Sequence, residues 1–167
     1  MLNFEELWNA HPSVQEEKSP CSTDGSANFT NQCAIRMGTA LKECGVRRSQ
    51  LSAPTLCWFH PKSDLHVLRA EELAKALSES SISGLGSTEV VSNPGDFQSE
   101  LEGKTGIIFF KDYWFRNSDP AESPTGDHID VWNGKDTGAT SAMHWATART
   151  VLAGYSEAKE IIFWNVW

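Results

Sequence analysis

His128-Ile129-Asp130-Val131-Trp132 alternates polar and apolar residues and runs directly into Asn133-Gly134. Alternation of period two marks a strand, and Asn-Gly is the strongest short hairpin-turn signal. Ile129 and Val131 then share one face, and His128, Asp130 and Trp132 the other. Upstream, Gly106-Ile107-Ile108-Phe109-Phe110 is apolar from Ile107 onward, as a strand covered on both faces is. Glu160 to Trp167 reads as a closing strand, with shorter ones at Leu65–Arg69 and Glu89–Val91. The helical patterns come earlier. Phe4, Leu7 and Trp8 share one face of a short helix that stops before Pro12. Ala34, Ile35, Met37, Ala40, Leu41 and Cys44 form a broad apolar side from Asn31 to Gly45, with Thr30 or Asn31 as cap, and Ala70 to Leu77 has helical composition. Residues 16–30 and most of 78–95 read as loop. Helices first and strands later predict an α+β fold with an antiparallel sheet, and 167 residues predict a single domain over 1–167.

The net charge is −8, which disfavours nucleic acid and anionic membrane as general partners. No stretch approaches the ~20 apolar residues of a membrane span. Met1-Leu2-Asn3-Phe4-Glu5-Glu6-Leu7-Trp8 lacks the basic start and apolar run of a secretory signal, so action outside the cytoplasm predicts another export route. The seven Trp are many for this length; some are expected to fill the core and others to line a cleft.

Cys33 falls in the first turn of the predicted helix, where unpaired amides and the macrodipole favour a thiolate. His128 can meet that helix start from the sheet and form a thiolate–imidazole pair. Cys33 is then the nucleophile and His128 the general base, with helix-start amides holding the oxyanion. A third group should orient the imidazole. A two-residue turn at Asn133-Gly134 sets Ala139 opposite His128, and alanine cannot serve. Asp130, two residues on along the same face, is the first choice. Asp136 is the alternative if the turn is longer or bulged.

Tyr113, Trp114 and Phe115, followed by Arg116, are either a substrate-binding wall, with Trp114 foremost, or an aromatic cluster pinning a long loop. His11 and His60 each precede a Pro and read as loop residues; His66 lies on a strand edge, and nothing singles out His144. Cys21, Cys33, Cys44 and Cys57 make no CxxC pair and show no Cys/His zinc spacing, so no metal is expected. Cys33 must stay reduced and Cys44 faces the apolar side of its helix, which leaves Cys21 and Cys57 as the candidate disulfide.

At Asn31-Gln32-Cys33-Ala34-Ile35-Arg36-Met37 and Gly126-Asp127-His128-Ile129-Asp130-Val131-Trp132-Asn133-Gly134 the sequence resembles the fourth family of type VI secretion amidase effectors, papain-like enzymes of the NlpC type. Phe4 to Trp8, Gly103 to Phe110 and Glu160 to Trp167 extend the likeness over most of the chain. The resemblance implies a papain-like fold with an antiparallel sheet against the nucleophile-bearing helix, Cys33 as nucleophile and His128 as base. It also implies cleavage of the γ-D-glutamyl–meso-diaminopimelate bond of peptidoglycan stem peptides. Delivery would be by the type VI machinery into the periplasm of rival bacteria, with a cognate immunity protein and without a cofactor. The family's orienting Asp lies after the turn, where Ala139 stands here. That departure keeps a non-catalytic binder of cell-wall peptide or protein open as the alternative, and an acyl transferase or deamidase as a third.

Overall fold

The computed structural model describes residues 1–167. Helix α1 (Phe4–Ala10) starts where the Asn3 side chain accepts the Glu6 amide, buries Leu7 and ends at His11. Two short strands, β1 (Ser22–Thr23) and β2 (Ser26–Ala27), interrupt the expected loop. They are joined by Asp24-Gly25, both at positive φ, 50° and 79°, as a tight hairpin of primed type requires. Helix α2 (Cys33–Glu43) buries Cys33, Ala34, Ile35, Met37, Gly38, Ala40 and Leu41, the broad apolar side read from the sequence. It begins at Cys33 rather than Asn31 because the Asn31 side chain turns back to accept the Cys33 amide at 3.2 Å. Helix α3 (Ala70–Ser78) follows. The intervening stretch forms no strand at Leu65–Arg69: only an isolated bridge joins Leu56 to Val67.

The remaining elements are β3 (Leu85–Val90), α4 (Phe97–Glu100), β4 (Gly106–Trp114), β5 (Gly126–Trp132), α5 (Gly138–Ser141), α6 (Trp145–Tyr155) and β6 (Glu160–Val166). The last four strands form one antiparallel sheet in the order β3-β6-β4-β5. Strand alternation divides its side chains between two cores. Ile107, Phe109, Ile129, Val131, Trp164 and Val166 pack with α1, α2 and α3 on one face. Ile108, Phe110, Trp132, Ile161 and Phe163 pack with Phe97 of α4 and Leu152 and Tyr155 of α6 on the other. The α+β class and the helix-on-sheet arrangement are as the sequence predicts.

The expected hairpin after β5 does not form. Asn133 Oδ1 accepts the amides of Lys135 and Asp136, and the Asn133 amide donates to the Asp136 carbonyl, so the turn spans 133–136. Only Trp132 and Thr137 are bridged beyond it. Thr137 then caps α5 through reciprocal bonds with Thr140, and the chain leaves the sheet. Strand β5 therefore pairs with β4 alone and presents an open outer edge.

Phe109 is 1% exposed in the core beneath α2. Phe109→Ala is expected to lower the unfolding free energy by about 3–5 kcal/mol in urea denaturation; a loss below about 1 kcal/mol would contradict that placement.

Candidate active site

Cys33 occupies the first helical position of α2 and is 5% exposed. The helix packs on the face carrying Ile129 and Val131, whereas His128 belongs to the opposite face, stacked on Tyr155. The two side chains meet around the open edge of β5. There the His128 ring and the Ile129 backbone are the neighbours that act on the sulfur. Burial works against the thiolate, but the hydrogen bond and charge of His128 outweigh it and hold Cys33 below the ordinary thiol range. Burial likewise opposes the imidazolium, yet the hydrogen bonds to Asp130 and Cys33 outweigh it and lift His128 to about 9. Each shift favours the charged partner of the other, so the pair is biased toward a thiolate beside an imidazolium.

His128 Nε2 donates to Asp130 Oδ2 at 3.0 Å. Asp130 is 1% exposed, and its carboxylate also accepts the Val131 amide at 2.9 Å and the Ala139 amide at 2.9 Å. Burial alone would favour the neutral acid; His11, charged only in the acid range where Asp130 titrates, the His128 imidazolium and the Ala139 amide reverse that and hold Asp130 below the usual carboxylate range. Position 139, whose side chain cannot orient a histidine, thus contributes its backbone to the residue that does contact it. Asp136 stays in the turn, half-buried, and lines a separate cavity with Trp132 and Arg149.

Three supporting residues escape the sequence reading. His11, read as a loop residue, is 1% exposed, with Nε2 3.6 Å from Asp130 Oδ1. Burial pushes its pKa down to about 4, so at neutral pH it is an uncharged ring that walls Asp130 off from water. Gly138 lets these groups meet: a Cβ there would lie 2.6 Å from Asp130 Oδ1 and 3.0 Å from His11 Nδ1. Tyr155, at the end of α6, stacks on the His128 ring at 5.2 Å and 10° and on Phe110 at 4.3 Å and 14°. A His before a Pro, and an aromatic at a helix end, carry no local signal of these contacts.

Cys33 opens onto a groove of about 550 Å³ that also exposes Asn31, Arg69, Lys111, Asp112, Arg116 and Asp127. A bulge in β4 builds its wall. Pairing with β5 shifts register between Phe110 and Trp114, and Asp112 takes φ 51° with its amide bonded to Asp127 Oδ1 at 2.9 Å. The groove is therefore charged rather than Trp-rich. Trp114 stands behind it. Its indole N–H donates to the Asp127 carbonyl at 3.1 Å, its ring covers Gly126, and Arg116 lies 5.4 Å above the ring centroid. Of the seven Trp, Trp132 and Trp164 are fully buried, while Trp58, Trp145 and Trp167 are exposed and do not line the groove at Cys33.

Residues of metal-ligand type gather elsewhere, at Cys21, Cys57, His60 and His66. The Cys21–Cys57 bridge expected from the sequence is not formed: both are free thiols, each 3.5 Å from His60 Nδ1.

Iodoacetamide should alkylate Cys33 with a midpoint well below the ~8.5 of a free thiol. In His128→Ala the midpoint should rise above that value, because only the burial that disfavours the thiolate remains. An unchanged midpoint, followed by mass spectrometry of the Cys33 peptide, would contradict the ion pair.

The sequence model of the family described as Tae4, type VI secretion system (T6SS) amidase effector protein 4, matches residues 29–164. No curated protein sequence matches the chain. The crystal structure of the effector Tae4 from Salmonella typhimurium in complex with the immunity Tai4 from Enterobacter cloacae is similar at a TM-score of 0.60 and 20% identity, covering 100% of this chain and 98% of that one. The effector–immunity system Tae4/Tai4 from Salmonella typhimurium gives 0.61 and 21% over 100% and 98%. Tae4 from Enterobacter cloacae gives 0.56 and 18% over 100% and 96%. At these identities the structures bear on the fold alone, and they agree with the α+β arrangement. The family match includes Cys33, His128 and Asp130 and spans most of the length: the chain belongs to the Tae4 family of type VI secretion amidase effectors.

Proposed function

We propose that residues 1–167 act as one cysteine amidase domain that hydrolyses the γ-D-glutamyl–meso-diaminopimelate bond of peptidoglycan stem peptides. The observation that carries this reading is the continuous chain from Cys33 through His128 to Asp130, with Nε2 to Oδ2 at 3.0 Å. The Cys33 thiolate attacks the glutamyl γ-carbonyl. The Cys33 amide, whose resting bond to Asn31 Oδ1 is a long 3.2 Å, turns to the developing oxyanion. The His128 imidazolium gives its proton to the leaving diaminopimelate nitrogen as the C–N bond breaks, leaving a thioester on Cys33. Neutral His128 then takes a proton from water, which attacks the thioester and releases the glutamyl γ-carboxylate, and the proton restores the imidazolium. Asp130 orients the ring and stabilises its charge throughout.

The charged groove suits a substrate that carries carboxylates and amines. Lys111 is paired with Glu71 at 2.8 Å and Arg69 with Glu72 at 2.8 Å. Arg116 contacts a carbonyl, Thr125 O at 3.0 Å, and makes no carboxylate bridge, so we assign it the free α-carboxylate of the glutamyl residue. Trp114 then acts as the ring that steadies the guanidinium. The binding-module alternative rested on the absence of a partner for His128, and Asp130 fills that place. Membership in a type VI effector family, together with relatives crystallised with an immunity protein, supports delivery into the periplasm of target bacteria and a cognate immunity protein that covers the groove. No helix is long and apolar enough to cross a membrane.

Purified protein added to Gram-negative sacculi should release stem fragments ending in a free glutamyl γ-carboxylate, identified by mass spectrometry. Cys33→Ala and His128→Ala should abolish release with the fold retained by circular dichroism, and Asp130→Ala should lower it by roughly 10²–10⁴-fold. The rate should rise as Cys33 ionises and fall as His128 loses its proton near pH 9. Arg116→Ala should raise KM about ten- to a hundredfold with kcat largely kept. Full release by Cys33→Ala would overturn the proposal, and cleavage at another bond would overturn the bond assignment.

A further inference from the structure

Cys21 and the stretch that holds Cys57, His60 and His66 are far apart in sequence, yet the four ligand atoms all lie within 4.8 Å of one another. Cys21 Sγ and Cys57 Sγ are each 3.5 Å from His60 Nδ1, and Cys57 Sγ is 3.7 Å from His66 Nδ1. Zinc binds thiolate sulfur at ~2.3 Å and imidazole nitrogen at ~2.0–2.1 Å in a tetrahedron. A sulfur and a nitrogen sharing such an ion stand about 3.5 Å apart by that geometry. Hydrogen bonding alone explains the cluster less well. An imidazole nitrogen has one lone pair and accepts one proton, whereas two thiols converge at equal distance on His60 Nδ1. A single cation at the centre satisfies all four groups.

We propose that these four side chains bind one zinc ion in a closed Cys2His2 site. Its surroundings are built for one. Cys21 and Cys57 are buried at 0% and 1% exposure among Ile35, Phe29 and Leu68, an apolar shell. Two thiolates neutralise the dication, so the occupied site carries no net charge into that shell, and binding releases the two thiol protons. The backbone presets the ligands. The Cys57 amide donates to the His66 carbonyl at 2.9 Å, and the Lys62 ammonium donates to the Cys57 carbonyl. The Gln32 side chain bonds both the amide and the carbonyl of Cys21 at 2.9 Å.

Residues 51–69 hold no strand and no α-helix; Leu56, Leu65 and Val67 tie one side of the stretch to the core, and the cysteine–histidine side lies apart from it in a small apolar cluster. A zinc ion at this point pins that stretch to the segment around Cys21. Gln32 immediately precedes the nucleophile, and Ile35 packs against both cysteines from α2. The ion is thus structural, with four protein ligands and no open position, and it steadies the start of the nucleophile helix without touching substrate. Counting CxxC pairs misses it; Cys57-Trp58-Phe59-His60, followed by His66, is the local signal, and Cys21 joins only through folding.

Reduced full-length protein should retain one zinc per chain, measured by plasma mass spectrometry after desalting, and Cys33→Ala and Cys44→Ser should retain it too. Cys21→Ser and Cys57→Ser should lose it. Because those variants can misfold, wild type is also stripped with a chelator: its Tm should fall and be restored by zinc, and cobalt added instead should give the visible absorption of a tetrahedral thiolate site. Reduced wild type that binds neither zinc nor cobalt would overturn the proposal. So would zinc retained by both cysteine variants, or an intact mass showing a Cys21–Cys57 disulfide in protein purified without reductant.

Discussion

The carboxylate of Asp130 is taken almost wholly out of water, and everything at the candidate site depends on its remaining ionised there. Burying an unpaired carboxylate costs several kcal/mol, and the group would normally neutralise itself by binding a proton. Here the Val131 and Ala139 amides and the His128 ring supply the donors that water would have supplied. His11, uncharged, closes the remaining side. The retained negative charge favours the protonated imidazole, and the imidazolium in turn lowers the pKa of the Cys33 thiol. The helix dipole, the first physical reason to suspect Cys33, is one contributor beside this relay of charges.

The geometry that permits the relay is an edge strand. Were a further strand paired outside β5, the sulfur would be excluded from the Ile129 backbone and from the imidazole beyond it. The Asn133 side chain prevents such pairing by capturing two amides of the turn. Thr137 then starts a helical turn, which delivers the Ala139 amide to Asp130. Gly138 is the small residue this close approach demands. On the other side of the site, the bulge at Asp112 turns Lys111 and Asp112 into the groove, and the Asp127 carboxylate anchors the bulge.

What the sequence showed clearly was whatever depends on short-range pattern. The alternation of β5 put His128 and Asp130 on one face, and the apolar side of α2 left Cys33 at its first turn. Helical patterns preceding strand patterns carried the α+β class, and the motifs around Cys33 and His128 carried the resemblance to the effector family. The hairpin register misled because it treated Asn133-Gly134 as a backbone turn and ignored the acceptor on the Asn side chain. The supporting roles of His11 and Tyr155 depend on contacts across more than twenty residues of chain, which no local period encodes. The same holds for the thiol–imidazole cluster, where Cys21 meets Cys57 and His66 only after the hairpin of β1 and β2 has folded against α2. The Trp expected at a cleft line a different one, Trp132 and Trp145 beside Asp136, and not the groove at Cys33, because composition counts aromatic rings but says nothing of where they face.

The central claim, that Asp130 holds His128 as a cation beside the Cys33 sulfur, is tested most directly by nitrogen-15 NMR titration of the His128 ring in the intact protein. The account predicts a ring that stays protonated through neutrality and titrates near 9, and that drops well below this in Asp130→Asn. A His128 titration near the ordinary ~6.5 with Asp130 in place would contradict it.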